Sequence, residues 1–388
     1  MRVALALLAV CCVTADEWPL LAAPFPAVKP EQLVRDRGDG VERTALLPPS
    51  AANPRNSEGS FVALRDGRLM FIYSHFTGGG GDHATAHLAA RFSSDQGRTW
   101  TRQDAPVLDN EGGWNVMSVS LLRLQDGRIA LFYGKKNSLA DCRPCLRIST
   151  DEARTWGPAT LCITDQVGYY VLNNDRAVQL KSGRLVLPVA LHNTAAYAQP
   201  DWAGILMCYY SDDGGRTWRR SRDQLTAHND AGRRITTQEP GVVELRDGRL
   251  MLFSRTTAGS QYVSYSRDGG QRWSPLQPSN IVSPCSPAQI KRIPQTGDLL
   301  LVWNNHAGVD AAHKGKRTPL NVAISRDEGR TWEHVKTLED DPNGWYCYPA
   351  VTVAGDHVLI GHCSGSTKLV PHLSFTQVTR FSLDWLYR

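Results

Sequence analysis

The 388-residue chain has no clustered basic face: 43 lysines and arginines stand against 38 aspartates and glutamates, and they are dispersed in D-G-R turns and R-T-W sequences. Nucleic-acid binding needs a concentrated positive surface, so that class is set aside. A net charge of +5 instead suits an anionic small ligand held by a positive interior. Beyond the first fifteen residues no apolar run is long enough to cross a bilayer, and no transmembrane segment is expected in the mature chain. The glycines at 78 to 81 are not followed by the GK[ST] of a phosphate loop, and no dinucleotide-binding pattern occurs. His83 and His87 have i,i+4 spacing without a surrounding helical period, and Cys142 and Cys145 form a lone C-x-x-C without a second pair. No metal and no organic cofactor is therefore expected.

Long helical periods are scarce, whereas 33 glycines and 22 prolines suit many tight turns. Six turn signals lie between apolar strand patterns: Asp66-Gly67, Asp126-Gly127, Ser182-Gly183, Asp247-Gly248, Thr296-Gly297 and Gly355-Asp356. Glycine permits the positive φ of such hairpins. A strand-built repeat of about 55 to 60 residues points to the blades of a propeller, and the count gives six blades of four antiparallel strands. The expected layout is a leader over 1–15, an outer or closing segment over 16–54, and the propeller over 55–388.

The leader has one early arginine, an apolar run and V-T-A before Asp16, which reads as a secretory signal cleaved after Ala15. A secreted or periplasmic protein is expected. Cys11 and Cys12 would leave with it, so Cys142, Cys145, Cys162, Cys208, Cys285, Cys347 and Cys363 would remain, an odd number.

A second signature recurs in phase with the first: SSDQGRTW from Ser93, STDEARTW from Ser149, SDDGGRTW from Ser211, SRDGGQRW from Ser266 and SRDEGRTW from Ser325. The aspartate can bond to backbone N–H groups ahead of it, glycine closes the turn, and tryptophan packs back between strands. These residues are read as structural. Ala153 and Arg272 depart from the pattern and should weaken only their own turns.

On these five boxes, over about residues 55 to 380, the chain resembles the sialidase superfamily. The resemblance implies a six-bladed propeller with one central site. It also implies an exo-acting glycoside hydrolase that releases a terminal sialic or related nonulosonic acid from a glycan, glycoprotein or glycolipid with retention of configuration. Three arginines would clamp the sugar carboxylate, and Arg55, Arg255 and Arg317 match by spacing; a guanidinium fork suits a planar carboxylate. Asp82, on the loop TGGGGD, matches the acid/base. Glu239 matches the base that activates a tyrosine nucleophile, whose hydroxyl is weak until assisted. GWYCYPAV offers Tyr346 and Tyr348 on one expected strand face, with Tyr346 preferred. Asn173, Asn174, Asp175 and Arg176, and Asn305 and His306, are candidate substrate contacts or turn residues.

Two departures keep a hydrolase for a different acidic or modified sugar in view. Glu58 stands where a small or apolar residue is expected, and His75 lies where many sialidases carry a further arginine. If Glu58 faces the substrate, like charges would repel. A third reading is a secreted glycan-binding propeller whose boxes serve architecture alone.

Overall fold

The computed structural model describes residue 34, residues 36–368 and residues 370–388; the leader lies outside them. The protein is all-β, and the one α-helix among the described residues is the short C-terminal Leu383–Tyr387. No helix among those residues is long and apolar enough to cross a membrane.

Four sheets have four strands each. The first runs Arg55–Ala63, Leu69–Phe76, Ala86–Ser93, Ala105–Leu108. Two others begin with Thr237–Glu244 and Gln289–Arg292. The last begins with Gly344–Ala354 and ends with the N-terminal strand Glu42–Leu47, which pairs antiparallel with Thr376–Ser382. The first and last strands of the described residues thus share one sheet.

The stretch from Asn115 to Arg220 departs from the expected pair of separate four-stranded units. Gly168–Val171 pairs antiparallel with Leu185–Thr194 and touches Asp141–Ser149 in parallel through Tyr169 and Cys142, fusing both units into one nine-stranded sheet. Pairing on both sides satisfies backbone groups that would otherwise be buried and bare.

The turn signals lie where the first strand of a unit turns into the second. Gly67, at φ 87°, donates its N–H to Leu64 O at 3.1 Å, and Asp66 Oδ1 accepts from Arg68 N. Gly127 and Gly248 repeat the same geometry. Each box joins the third strand to the fourth. In the first, Asp95 accepts from Ser93 Oγ at 2.9 Å and Thr99 N at 2.8 Å, and Trp100 Nε1 donates to Gly97 O at 3.0 Å. Ala153 keeps its bond to Ser149 Oγ at 2.9 Å despite a φ of 61°, and Arg272 N still reaches Asp268 Oδ1. What Arg272 lacks is the threonine hydroxyl that bonds the second carboxylate oxygen elsewhere.

Because neighbouring strands are antiparallel, D-G turns and boxes gather at one end of the sheets, and the starts of the first strands gather at the other. First strands pack on one another: Arg55–Ala63 lies against Asn115–Arg123 and Gly344–Ala354, and Gln289–Arg292 against Thr237–Glu244 and Gly344–Ala354. Between the sheets, apolar clusters such as Phe61, Phe71, Tyr73, Leu359 and Val378 exclude water. Each fully buried side chain of this size contributes about 1.5 to 3 kcal/mol.

One irregularity recurs in the first strands. Pairing register breaks between Ser57 and Ser60, Met117 and Ser120, Gln238 and Gly241, and Cys347 and Ala350. At each break one non-glycine residue has positive φ: Glu58 (57°), Ser118 (60°), Glu239 (52°) and Tyr348 (55°). Such bulges re-aim a side chain, and they cost strain that packing must offset. Two breaks also need glycine next to the bulged residue or just beyond it: a Cβ on Gly59 or Gly241 would lie 2.3 Å from the Phe71 or Phe253 ring.

Candidate active site

All four bulged residues lie at the end of the sheets opposite the boxes. Tyr348 donates its hydroxyl to Glu239 Oε1 at 3.2 Å, although 109 residues separate them. Arg255 Nη2 lies 3.1 Å from the same oxygen and donates to Gln238 Oε1 at 2.5 Å. The Arg317 guanidinium carbon sits 5.4 Å from the centre of the Tyr348 ring and 5.3 Å from that of Trp345. Burial and the Glu239 carboxylate both push the Tyr348 hydroxyl well above its ordinary pKa, so it is a neutral phenol with a base in contact. Burial opposes the charge on Arg255, and the Glu239 carboxylate beside it is the largest influence restoring that charge.

Tyr346 has a different environment. It is 6% exposed, belongs to the apolar cluster with Val302, Val322, Ile360 and Phe381, and meets the His362 ring edge-on. Burial raises its pKa, with Glu339 and Asp341 adding to the effect. The two tyrosines were expected on one face; the register break after Cys347 and the left-handed backbone at Tyr348 part them. Alternation over two residues holds only for an unbroken strand.

A second charged group adjoins the first. Arg55, 1% exposed, donates from Nη1 to Asp82 Oδ1 at 2.5 Å, from Nη2 to Glu58 Oε1 at 2.6 Å and from Nε to Ser57 Oγ at 2.9 Å. The other Glu58 oxygen accepts from the Ser118 hydroxyl, so two bulged residues meet. Burial pushes Glu58 up, held back by Arg55 and reinforced by the nearby Asp82 and Glu239 carboxylates. Asp82 moves the other way: burial is outweighed by Arg55 and Lys136, which hold it well below the usual carboxylate range. Lys136 Nζ and Asn115 Nδ2 both donate to the Asp82 carbonyl, at 2.8 and 2.9 Å, and fix the loop. The Glu239 carboxylate adds to the upward push on Glu58, and Glu58 in turn adds to that on the Tyr348 hydroxyl, which joins the two groups electrostatically.

Other sequence candidates divide. Asp175 accepts from Ser60 Oγ (2.9 Å), Lys291 Nζ (2.7 Å), Gln289 Nε2 (2.9 Å) and Val351 N (2.9 Å), tying several sheets together below the site. Arg176 is buried against Phe253 and Gln289, and burial lowers its pKa to about 10. Asn174 bridges Gly59 O and Tyr348 O, coupling the two bulges through the backbone. Asn173 caps Asn174 N and leaves its amide nitrogen without a partner. Asn305 caps its own turn at Ala307, and His306 lies on Thr318 O beside Arg317. His75 turns to Asp104 at 3.2 Å and stacks on His87, and no hydrogen bond or ion pair among the described residues joins it to the Tyr348 group.

Sequence reasoning missed Ser118, Lys136, Asn115 and Gln238. Single polar residues on a strand carry no signal. The one available clue was short breaks in alternation near the start of each first strand, S-E-G-S, S-V-S, Q-E-P-G and Y-P-A. The described residues contain no group of three or more His, Cys, Asp or Glu arranged to hold a metal. All seven described cysteines are free thiols; Cys347 and Cys363 face each other across two strands, with Cys347 beside Arg317.

Residues 107–361 match the BNR repeat-like domain family. The chain is 28% identical over 335 residues to a sialidase of Micromonospora viridifaciens, covering 75% of this chain and 47% of that protein. It therefore spans about half the length of that relative. Among solved structures, a Dyadobacter fermentans protein of unknown function superposes with a TM-score of 0.68 at 16% identity, covering 88% of this chain and 99% of that one. A Trypanosoma rangeli sialidase superposes at 0.67 with 16% identity, covering 90% and 60%. These likenesses are to the fold.

Proposed function

We propose, from the premise that this chain belongs to the sialidase superfamily with BNR repeats, that it is an exo-acting glycoside hydrolase. It would release a terminal sialic or related nonulosonic acid from a glycan, glycoprotein or glycolipid. The sheets are read as six blades around one axis, with the bulged ends of the first strands forming the mouth. The observation that carries the reading is the Tyr348 hydroxyl on Glu239, with Arg255 on the same carboxylate and Arg317 over the tyrosine ring.

In this scheme Arg255 and Arg317 bind the sugar carboxylate. Arg255 Nε and Nη1 have no hydrogen-bond partner among the described residues, and unpaired buried donors favour an anion. Tyr348 Oη attacks the anomeric carbon as its proton passes to Glu239, and the glycosidic oxygen leaves with a proton from Asp82, whose pKa the bound acidic sugar must first raise from the low value that Arg55 and Lys136 impose on it in the unliganded protein. Water then attacks the glycosyl-tyrosine bond, giving its proton to Asp82, while Glu239 returns the proton to Tyr348. A neutral phenol spares the approach of an anionic nucleophile to a carbon that already bears a carboxylate. Two displacements retain the anomeric configuration. Secretion or export to the periplasm is part of the proposal, resting on the sequence of 1–15.

The test is release of free acid from mixed sialylated glycans, read by mass spectrometry, with Glu239→Gln alongside. Release by the wild type and its loss in the variant is the expected result. Equal release by both removes Glu239 from the reaction, and no release by either removes the sialidase reading.

A further inference from the structure

Arg55 matches the first clamp arginine by spacing, yet its guanidinium is already spoken for. Of five N–H donors, Nε serves Ser57, the two on Nη1 serve Asp82 and Gly80 O (3.2 Å), and one on Nη2 serves Glu58. One remains, whereas a bidentate carboxylate needs two side by side. Arg255 offers the opposite picture, with both Nη2 bonds made and Nε and Nη1 without partners among the described residues.

The filling of Arg55 is built into the backbone. Glu58 is 5% exposed, it sits at a bulge with φ 57°, and Gly59 beside it admits the Phe71 ring, where any Cβ would clash. The Ser118 hydroxyl, from the corresponding bulge of the next first strand, holds its second oxygen. A side chain placed by two strained positions on two sheets is not a surface charge that happens to fold inward.

We propose that Glu58 is the specificity-determining residue of the site: its carboxylate takes the place on Arg55 that a substrate carboxylate would fill, so the pocket grips an acidic sugar with Arg255 and Arg317 alone. Arg55 then serves as a positioning residue for Asp82. This rests on the hydrolase reading above. It implies a pocket that tolerates an acidic sugar without selecting strongly for its charge, because a fixed anion offsets one of the three cations.

The experiment compares two ligands that differ only in that charge, a 2,3-didehydro sialic acid and its methyl ester, as inhibitors of the full-length wild type and of Glu58→Gln. The amide oxygen keeps the bond from Arg55, the amide NH2 donates to Ser118 Oγ where the carboxylate accepted from it, and the charge is removed. We expect the acid to bind about tenfold tighter to the variant, the effect of removing one like charge from a buried ligand site, with the ester unchanged. Glu58→Met, apolar and of the same length, gives the same reading if the amide variant does not fold. An acid-to-ester preference that is unchanged or falls in an active variant overturns the proposal and leaves Glu58 as a brace for Arg55. A wild type that neither turns over sialosides nor binds either ligand takes down the hydrolase reading, and this inference with it.

Discussion

The same strands carry two ends that solve opposite problems. At the box end, each aspartate is at the surface and its bonds are made locally: Asp213 accepts from Ser211, Arg216, Thr217 N and the Thr217 hydroxyl, all within seven residues. At the bulged end, charges are buried, partners come from distant sheets, and polar atoms stay bare. Glu239 Oε2, Arg255 Nε and Nη1, Asn174 Oδ1 and Asn304 Oδ1 have no partner among the described residues. A buried polar group left unmade costs about 1 to 3 kcal/mol. At the box end most polar atoms are satisfied from within, Trp332 Nε1 and His357 Nδ1 being exceptions; at the bulged end more are held in reserve for a ligand.

The sharpest way to break this contrast is to substitute at each end and read both activity and stability. Tyr348→Phe and Glu239→Gln should each lower kcat by about a thousandfold or more, the scale of losing a nucleophile or its base. Tyr348→Phe removes one buried hydrogen bond and should cost about 1 kcal/mol of stability, and Glu239→Gln, which also removes the carboxylate paired with Arg255, should cost more. Tyr346→Phe, two residues away in the apolar cluster, should keep near-wild-type kcat. Equal losses at both tyrosines would erase the distinction between them.

At the other end, Asp213→Ala should cost about 1 to 2 kcal/mol of stability, for several exposed hydrogen bonds lost together, and leave kcat unchanged. Denaturant unfolding beside steady-state rates checks this. A fall in kcat without a fall in stability would assign the box a role in the site.

The smallest effect is a pH dependence. Box hydrogen bonds hold Asp95, Asp151, Asp213 and Asp327 at a pKa of about 2 in the folded chain, against about 3.9 unfolded. A depressed folded value means that stabilisation is fully present above pH 4 and is lost as pH falls toward 2. Acid unfolding should begin in that window, and a variant lacking one box aspartate should show a shallower slope there.

The contrast between the two ends also explains what was legible in the sequence. Boxes and D-G turns are local: Ser93, Asp95, Gly97, Thr99 and Trp100 lie within eight residues and bond to one another. Repeats of that kind declare the strand order by their spacing alone. The family pattern singled out Arg255, Glu239 and Asp82, because a single residue at a fixed spacing from a box is also a local signal. Tyr346 and Tyr348 were not separable, since only the register break decides which one leaves the core. Glu58 drew notice as a departure, but its seat on Arg55 depends on Ser118, 60 residues on. The fusion of the second and third units by Gly168–Val171 was likewise invisible, for a four-residue strand gives too short a pattern.

The central claim is that Tyr348 is the residue joined to the sugar. Brief exposure of the protein to 2,3-difluorosialic acid, whose fluorine at C3 slows both displacements and whose fluoride at C2 departs readily, followed by peptide mapping, tests it directly. The account predicts one added sugar on the peptide containing residues 344–354, at Tyr348, absent in Tyr348→Phe. A sugar on Tyr346, or full sialoside turnover by Tyr348→Phe, would contradict it.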